Sequence, residues 1–140
     1  MKYISFAIPC YNSEAYMEKA INSILVGGED VEIIVVNDGS KDGTQKIAER
    51  YQEKYPTIVK AVEKENGGHG DAVNCGLAHA TGKYFKVVDS DDWVDKEALK
   101  KILDAVKGFV DADSPVDMVI SNYVYEKVGM KHKKVIRYDN

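Results

Sequence analysis

The chain has two cysteines in 140 residues, three prolines, one tryptophan and no excess of basic charge, and most of these shortages exclude a class of protein. Cys10 and Cys75 lie far apart, which argues against a disulfide framework and for a reducing compartment. Nineteen Lys and Arg against 23 Asp and Glu give a net charge of −4 with no basic block to follow a phosphate backbone, so no nucleic-acid partner is expected. No segment approaches the ~18 apolar residues of a membrane span, and the N-terminus lacks a signal peptide's charged, apolar and cleavage regions. The expected location is the cytoplasm, with any membrane contact peripheral and at its inner face. At this length roughly two-thirds of the unfolded chain's surface can be buried, so stability requires neither a staple nor a structural metal.

What is present alternates between the two hydrophobic periods, the pattern of an α/β layer fold with parallel strands. Residues 3–9, YISFAIP, read as a first strand, and Asn12 or Ser13 can cap a helix carrying Met17, Ile21, Ile24 and Leu25, closed by Gly27-Gly28. The nearly continuous VEIIVVN, 31–37, reads as a strand covered on both faces. Ser40 or Asp42 then caps a helix with Ile47, Ala48, Tyr51 and Tyr55 in register, ended by Pro56. Residues 57–63 form a third strand, followed by NGGHG, a short helix with Val73, Leu77 and Ala78, and Gly82 in the left-handed position after it. KYFKVV, 83–88, is strand four, and Asp95 caps a helix through Leu99, Ile102, Leu103 and Val106. Residues 116–125 and 133–138 read as two more strands, a hairpin around Gly129.

Ligands of open parallel sheets bind beyond the carboxyl ends of the strands, where loops converge and helix N-termini offer partial positive charge. Those ends read PCYNSE, NDGSKDGT, ENGGHGDAVN and DSDDWVD, polar or glycine-rich in every case. Asp89-Ser90-Asp91-Asp92 places three acids at one strand end, where their repulsion has to be absorbed. Hard cations such as Mg2+ or Mn2+ take oxygen ligands, often one or two carboxylates with water and substrate phosphates, and would remove the repulsion. On an extended segment alternate side chains share a side, which joins Asp89 with Asp91 and turns Asp92 away. The bland alternative is helix capping beside a solvated acidic turn. Asp38 can accept from a nucleobase or ribose, or serve a turn and helix start in NDGS. The glycines of NGGHG allow close backbone approach to a ligand or a plain flexible loop, and the Gly-Lys-Ser/Thr ending of a P-loop is absent. His69 can touch a phosphate or sugar hydroxyl, although a lone histidine is more often incidental, and zinc would want a paired Cys or His. Tyr11 can stack on a base or pack at a strand edge. Cys10 has no evident basic partner for nucleophilic catalysis.

Taken in order, AIPCYNSEAYMEKAINSIL, VEIIVVNDGSKDGT and ENGGHGDAVNCGLAHATGKYFKVVDSDDW resemble family 2 glycosyltransferases of the GT-A fold over roughly residues 3–95. The resemblance implies a Rossmann-like three-layer α/β/α sandwich with a mostly parallel sheet. It also implies a nucleotide-diphosphate sugar donor, most commonly carried on uridine diphosphate, a divalent cation, and transfer with inversion to a glycan or lipid-linked acceptor. By position, the residues implied for the donor are Pro9, Tyr11, Glu14, Asp38, Asn66, Gly67, Asn74, Asp89 and Ser90. Asp89, Asp91 and Asp92 are implied for the metal, with Asp91 or Asp92 the direct ligand. The family often has a small residue and an arginine where this chain reads Asp71-Ala72-Val73. Residues 1–140 are expected to be one nucleotide-sugar-binding domain at the front of a longer enzyme, with the general base beyond Asn140. Asp113, Asp117 and Glu126 read as solvated charges rather than that base. Two rivals stand beside this reading: a module that binds nucleotide sugar without turnover, and a phosphoacceptor α/β domain. The second would want acids after the first strand, where the chain has Cys10 and Asn12.

Overall fold

Runs of Ile, Val and Phe that bury both of their faces dictate where the sheet runs. The structure, a computed structural model, describes residues 2–111. In chain order the elements are β1 (Ile4–Cys10), α1 (Met17–Leu25), a 3-10 turn (Gly28–Asp30), β2 (Val31–Asp38), α2 (Thr44–Lys54), β3 (Val59–Lys64), α3 (His69–His79), β4 (Tyr84–Val87) and α4 (Lys96–Asp111). The described strands form one all-parallel sheet in the order β3-β2-β1-β4. Every residue of β1 and β2 is buried, as expected of central strands covered by helices on both sides.

Ile4, Phe6 and Ile8 of β1 and Val31, Ile33 and Val35 of β2 face the larger core. There they meet Met17, Ala20, Ile21 and Ile24 of α1, Ala48 and Tyr51 of α2, and Leu99, Ile102, Leu103 and Val106 of α4. Fully burying each large aliphatic side chain stabilises by roughly 1.5–3 kcal/mol, so this face carries most of the fold. The opposite face is thinner, with Ile34, Val36 and Ala72 at its centre and Val62, Cys75 and Ala80 packed against them. Helix α3 covers it closely because Gly76 has no side chain: a Cβ there would lie 2.6 Å from the Cβ of Ala7. The result is the expected α/β/α layering, with α1, α2 and α4 on one side and α3 on the other.

Two local expectations change. Ser13 does not cap α1 with its hydroxyl. The helix begins at Met17 without a side-chain cap, and Ser13 Oγ instead shares a buried hydrogen bond of 2.7 Å with Ser90 Oγ, while Asn12 adopts a left-handed φ of 49°. Gly82 is not left-handed. Its glycine is needed for close approach, since a Cβ would sit 2.7 Å from Ser5 Oγ and 2.8 Å from Ser5 N. Trp93 is 40% exposed, with Lys19 Nζ 3.6 Å from its ring centroid. Asp95 caps α4, its Oδ2 accepting from Ala98 N at 3.0 Å, whereas the N-cap of α2 is Gly43 and Asp42, one position earlier, accepts from Thr44 N on Oδ1 at 2.9 Å. The expected strands at 116–125 and 133–138, the turn at Gly129, and Asp113, Asp117 and Glu126 lie outside the described residues.

Candidate functional site

The carboxyl ends of the parallel strands supply the loops on one edge of the sheet. The loop after β1 is tied to the loop after β2 by a mesh of short bonds. Asn12 N donates to Ser40 Oγ at 2.8 Å, Lys41 N to Asn12 Oδ1 at 2.8 Å, and Ser13 N to Thr44 Oγ1 at 2.9 Å. Glu14 belongs to this mesh: its Oε2 accepts from Gly43 N at 3.1 Å, and its own N–H donates to Asp42 Oδ2 at 3.2 Å. Behind the mesh a cleft of about 260 Å³ is lined by Pro9, Cys10, Tyr11, Asp38, Asn66, Gly68, His69 and Ala72. Tyr11 is 52% exposed at its edge, open to stacking.

Asp38 is the best-anchored acid of this edge. Parallel pairing places it opposite Lys64, whose Nζ donates to Oδ1 at 2.8 Å. Gly67 N donates to Oδ1 at 2.9 Å and Gly68 N to Oδ2 at 3.0 Å, while Asn66 Nδ2 bonds the Asp38 carbonyl at 3.0 Å. Burial opposes the charge of Asp38, but Lys64 and the two glycine amides outweigh it and hold the carboxyl below the ordinary 3.8. Lys64 also meets Asp71 Oδ2 at 2.5 Å, and its ammonium is raised above 10.5 by Asp38 first and Asp71 second. One lysine thus joins the end of β2 to the first turn of α3. The glycines matter here for two reasons. Gly39 at φ 72° would place a Cβ 2.7 Å from Asn66 N, and Gly68 turns the chain into α3 at φ 96°.

Beyond β4 the chain does not continue extended. Asp92 N donates to Asp89 O at 3.0 Å, closing a turn over residues 89–92. The expectation that Asp92 points away from its neighbours therefore fails. The turn brings one carboxylate oxygen of each of Asp89, Asp91 and Asp92 within 4.8 Å of one another. Ser90, facing inward, fixes that turn to the β1 loop through Ser13. His69 Nε2 lies 3.0 Å from Asp89 Oδ1, and in the Nε2–H tautomer the ring donates to that oxygen. The donor set is three hard oxygens, the chemistry that suits Mg2+ or Mn2+ and does not favour a soft metal.

Of the sequence-derived site residues, Pro9, Tyr11, Asp38 and Asn66 share the cleft, Gly67 anchors Asp38, and Asp89 and Ser90 stand at the β4 turn joined to it through His69 and Ser13. Glu14 holds the rim mesh, and Asn74 is exposed on α3; neither lines the cleft. Lys64 is a site residue that the sequence pattern alone does not single out. Its signal is a lysine at the strand end that parallel register sets against an acid, legible only once the pairing of β2 and β3 is known.

A parallel sheet with a cleft of about 260 Å³ at its carboxyl edge and three converging acids beside it has the layout of the α/β domains that bind ligands beyond their strand ends. The chain belongs to glycosyl transferase family 2, whose profile matches residues 5–136. It is 38% identical over 102 residues to the minor teichoic acid biosynthesis protein GgaB of Bacillus subtilis, covering 71% of this chain and 11% of that protein. Its fold superposes on S. aureus TarS 1-349 in complex with UDP-GlcNAc with a TM-score of 0.66 at 36% identity, over 80% of this chain and 32% of that one. For the mannosyltransferase PcManGT of Pyrobaculum calidifontis in complex with GDP-Man and Mn2+ the TM-score is 0.64 at 28% identity, over 77% and 32%. The fold is the GT-A fold of these glycosyltransferases. The chain spans from 11% to 34% of the length of the first curated relatives it matches.

Proposed function

We propose that the chain is the donor-binding part of a metal-dependent, inverting glycosyltransferase that takes a UDP-sugar and serves a glycan or lipid-linked acceptor in the cytoplasm, at the inner face of the membrane. The observation that carries the reading is the placement of Asp89, Asp91 and Asp92 within 4.8 Å of one another, joined through His69 to the cleft that Asp38 closes. The relatives solved with UDP-GlcNAc, and with GDP-Man and Mn2+, support it.

In this reading Tyr11 stacks on the base, and Asp38 with Asn66 sets its edge and the ribose. The N-terminus of α3, entered through Gly67 and Gly68, offers backbone N–H groups toward the diphosphate. Asp89, Asp91 and Asp92 would hold the cation, with Asp91 or Asp92 the direct ligand. A bound divalent ion supplies Lewis-acid neutralisation of the departing nucleotide. Residues of the chain orient the donor and exclude water from the cleft floor, where Pro9 and Cys10 are buried. Inversion needs a base on the face opposite the leaving diphosphate, within hydrogen-bond reach of the acceptor oxygen. The acid lining the cleft is held by Lys64 and the glycine amides, and the three acids of the β4 turn are assigned to the cation. Among the described residues, the acids of the cleft and of the β4 turn then each have another task, and the second reading is donor binding without turnover.

Calorimetric titration of UDP with Mn2+ or with EDTA, followed by incubation with UDP-GlcNAc and assay of free UDP, tests both. Mn2+-dependent binding with UDP release is the expected result for a transferase. Binding without release leaves the binding module, and no binding at millimolar UDP with Mn2+ contradicts both.

A further inference from the structure

Residues 67–69 are pinned at both ends on acids of different purpose. Gly67 N and Gly68 N bond Asp38 at 2.9 and 3.0 Å, and the next residue, His69, bonds Asp89 Oδ1 at 3.0 Å, twenty positions further along the chain. The segment spans from the base-side acid to the acid turn of β4.

Its geometry is not that of an incidental surface histidine. His69 is the first residue of α3, and α3 is seated on the sheet by buried Ala72 and by the close approach of Gly76 to Ala7. The ring is therefore carried by a packed helix although 64% of the side chain is exposed. It lines the cleft together with Asp38, Asn66 and Gly68, while the oxygen it bonds belongs to one of the three converging carboxylates. An N–H donor on a carboxylate oxygen fixes the plane of the carboxylate and offsets its repulsion with neighbouring acids. Partners of this kind orient ligands that they do not replace.

We propose that His69 is a positioning residue of the cation and diphosphate site: it sets the orientation of the Asp89 carboxylate and ties it, through residues 67–69, to the nucleoside end of the cleft. The inference rests on the donor-binding reading above. His69 touches neither substrate nor cation in this role; it acts through Asp89.

The test is calorimetric titration of UDP into the chain over a series of Mn2+ concentrations and in EDTA, for wild type, His69→Ala and His69→Gln. Loss of the donor should raise the Mn2+ concentration at half-maximal UDP affinity about tenfold, the low end for an orienting partner, because the ring is partly solvated. UDP affinity in EDTA should stay within about twofold by the same reasoning, since the Asp38 end of the segment keeps its bonds. His69→Gln, which returns an N–H donor, should recover most of the loss. Equal Mn2+ midpoints in wild type and His69→Ala overturn the inference. So does a loss in His69→Ala that is as large in EDTA, the mark of a displaced loop. A wild type that binds UDP without regard to Mn2+ refutes the donor-binding reading itself, and that result is visible before any variant is compared.

Discussion

Replacing Asp38 by Asn keeps the shape and removes the charge, and the cost can be worked from the bonds that the carboxylate makes. It accepts from Lys64 and Gly67 on Oδ1 and from Gly68 on Oδ2, at 2.8 to 3.0 Å. An amide has one acceptor oxygen, so in Asp38→Asn one side of the new group must turn its NH2 against a backbone N–H. Bonds to a charged acceptor are worth about 1.5–3 kcal/mol each and neutral ones about 0.5–1.5, which sets the loss near one charged bond plus the weakening of another. Because Gly67 and Gly68 are themselves exposed, the low end applies, and Asp38→Asn should cost about 2 kcal/mol in urea unfolding at pH 7. The pH dependence has a definite sign. Asp38 is held below 3.8 in the folded chain, so the advantage over Asn is complete above that value and shrinks as pH falls through the lower folded value. A stability loss under about 0.5 kcal/mol, or one that does not shrink in acid, would refute the account of Asp38 as the anchor of residues 66–68.

Two further outcomes rest on burial and close packing. The Cys10 thiol is 1% exposed and pushed up to about 12, chiefly by desolvation, so at pH 8 an aromatic disulfide reagent should modify half-buried Cys75 quickly and Cys10 only on unfolding. Two thiols reacting at equal rates in the folded chain would contradict that placement. Gly76→Ala should destabilise by about 1–3 kcal/mol despite the better helix propensity of alanine, because the new methyl meets Ala7 Cβ at 2.6 Å. A neutral or stabilising result, read from the thermal midpoint, would show that α3 lies further from the sheet.

The sheet is legible in the sequence because VEIIVVN and YISFAIP are nearly continuous apolar runs, and strands buried on both faces account for them directly. The acids of the β4 turn are legible as a group, since three carboxylates at a strand end demand a partner. What local pattern misses is geometry set by contacts distant in sequence. Period-two alternation puts Asp92 on the wrong side because it holds only to the end of β4, and the residues beyond turn instead. Ser13 has the form of a helix cap, but its hydroxyl is taken by Ser90, 77 positions away, and no local pattern encodes that choice. Gly82 stands where a left-handed residue often follows a helix, yet the demand on it is the proximity of Ser5. Lys64 gives no local signal because its partner is chosen by strand register, and Glu14 is held by the rim mesh for the same kind of reason.

The central claim is that Asp91, with Asp89 and Asp92, makes nucleotide binding depend on a cation. Asp91 is exposed, so its truncation leaves the fold intact and isolates the site. The decisive measurement is the thermal midpoint of wild type and Asp91→Ala with millimolar UDP, in Mn2+ and in EDTA. A ligand at 100 times its Kd stabilises by about 2.7 kcal/mol, a shift of several degrees for a chain of this size. The account predicts that shift for wild type in Mn2+ alone and its absence in Asp91→Ala under either condition. An undiminished Mn2+-dependent shift in Asp91→Ala, or an equal shift for wild type in EDTA, would contradict it.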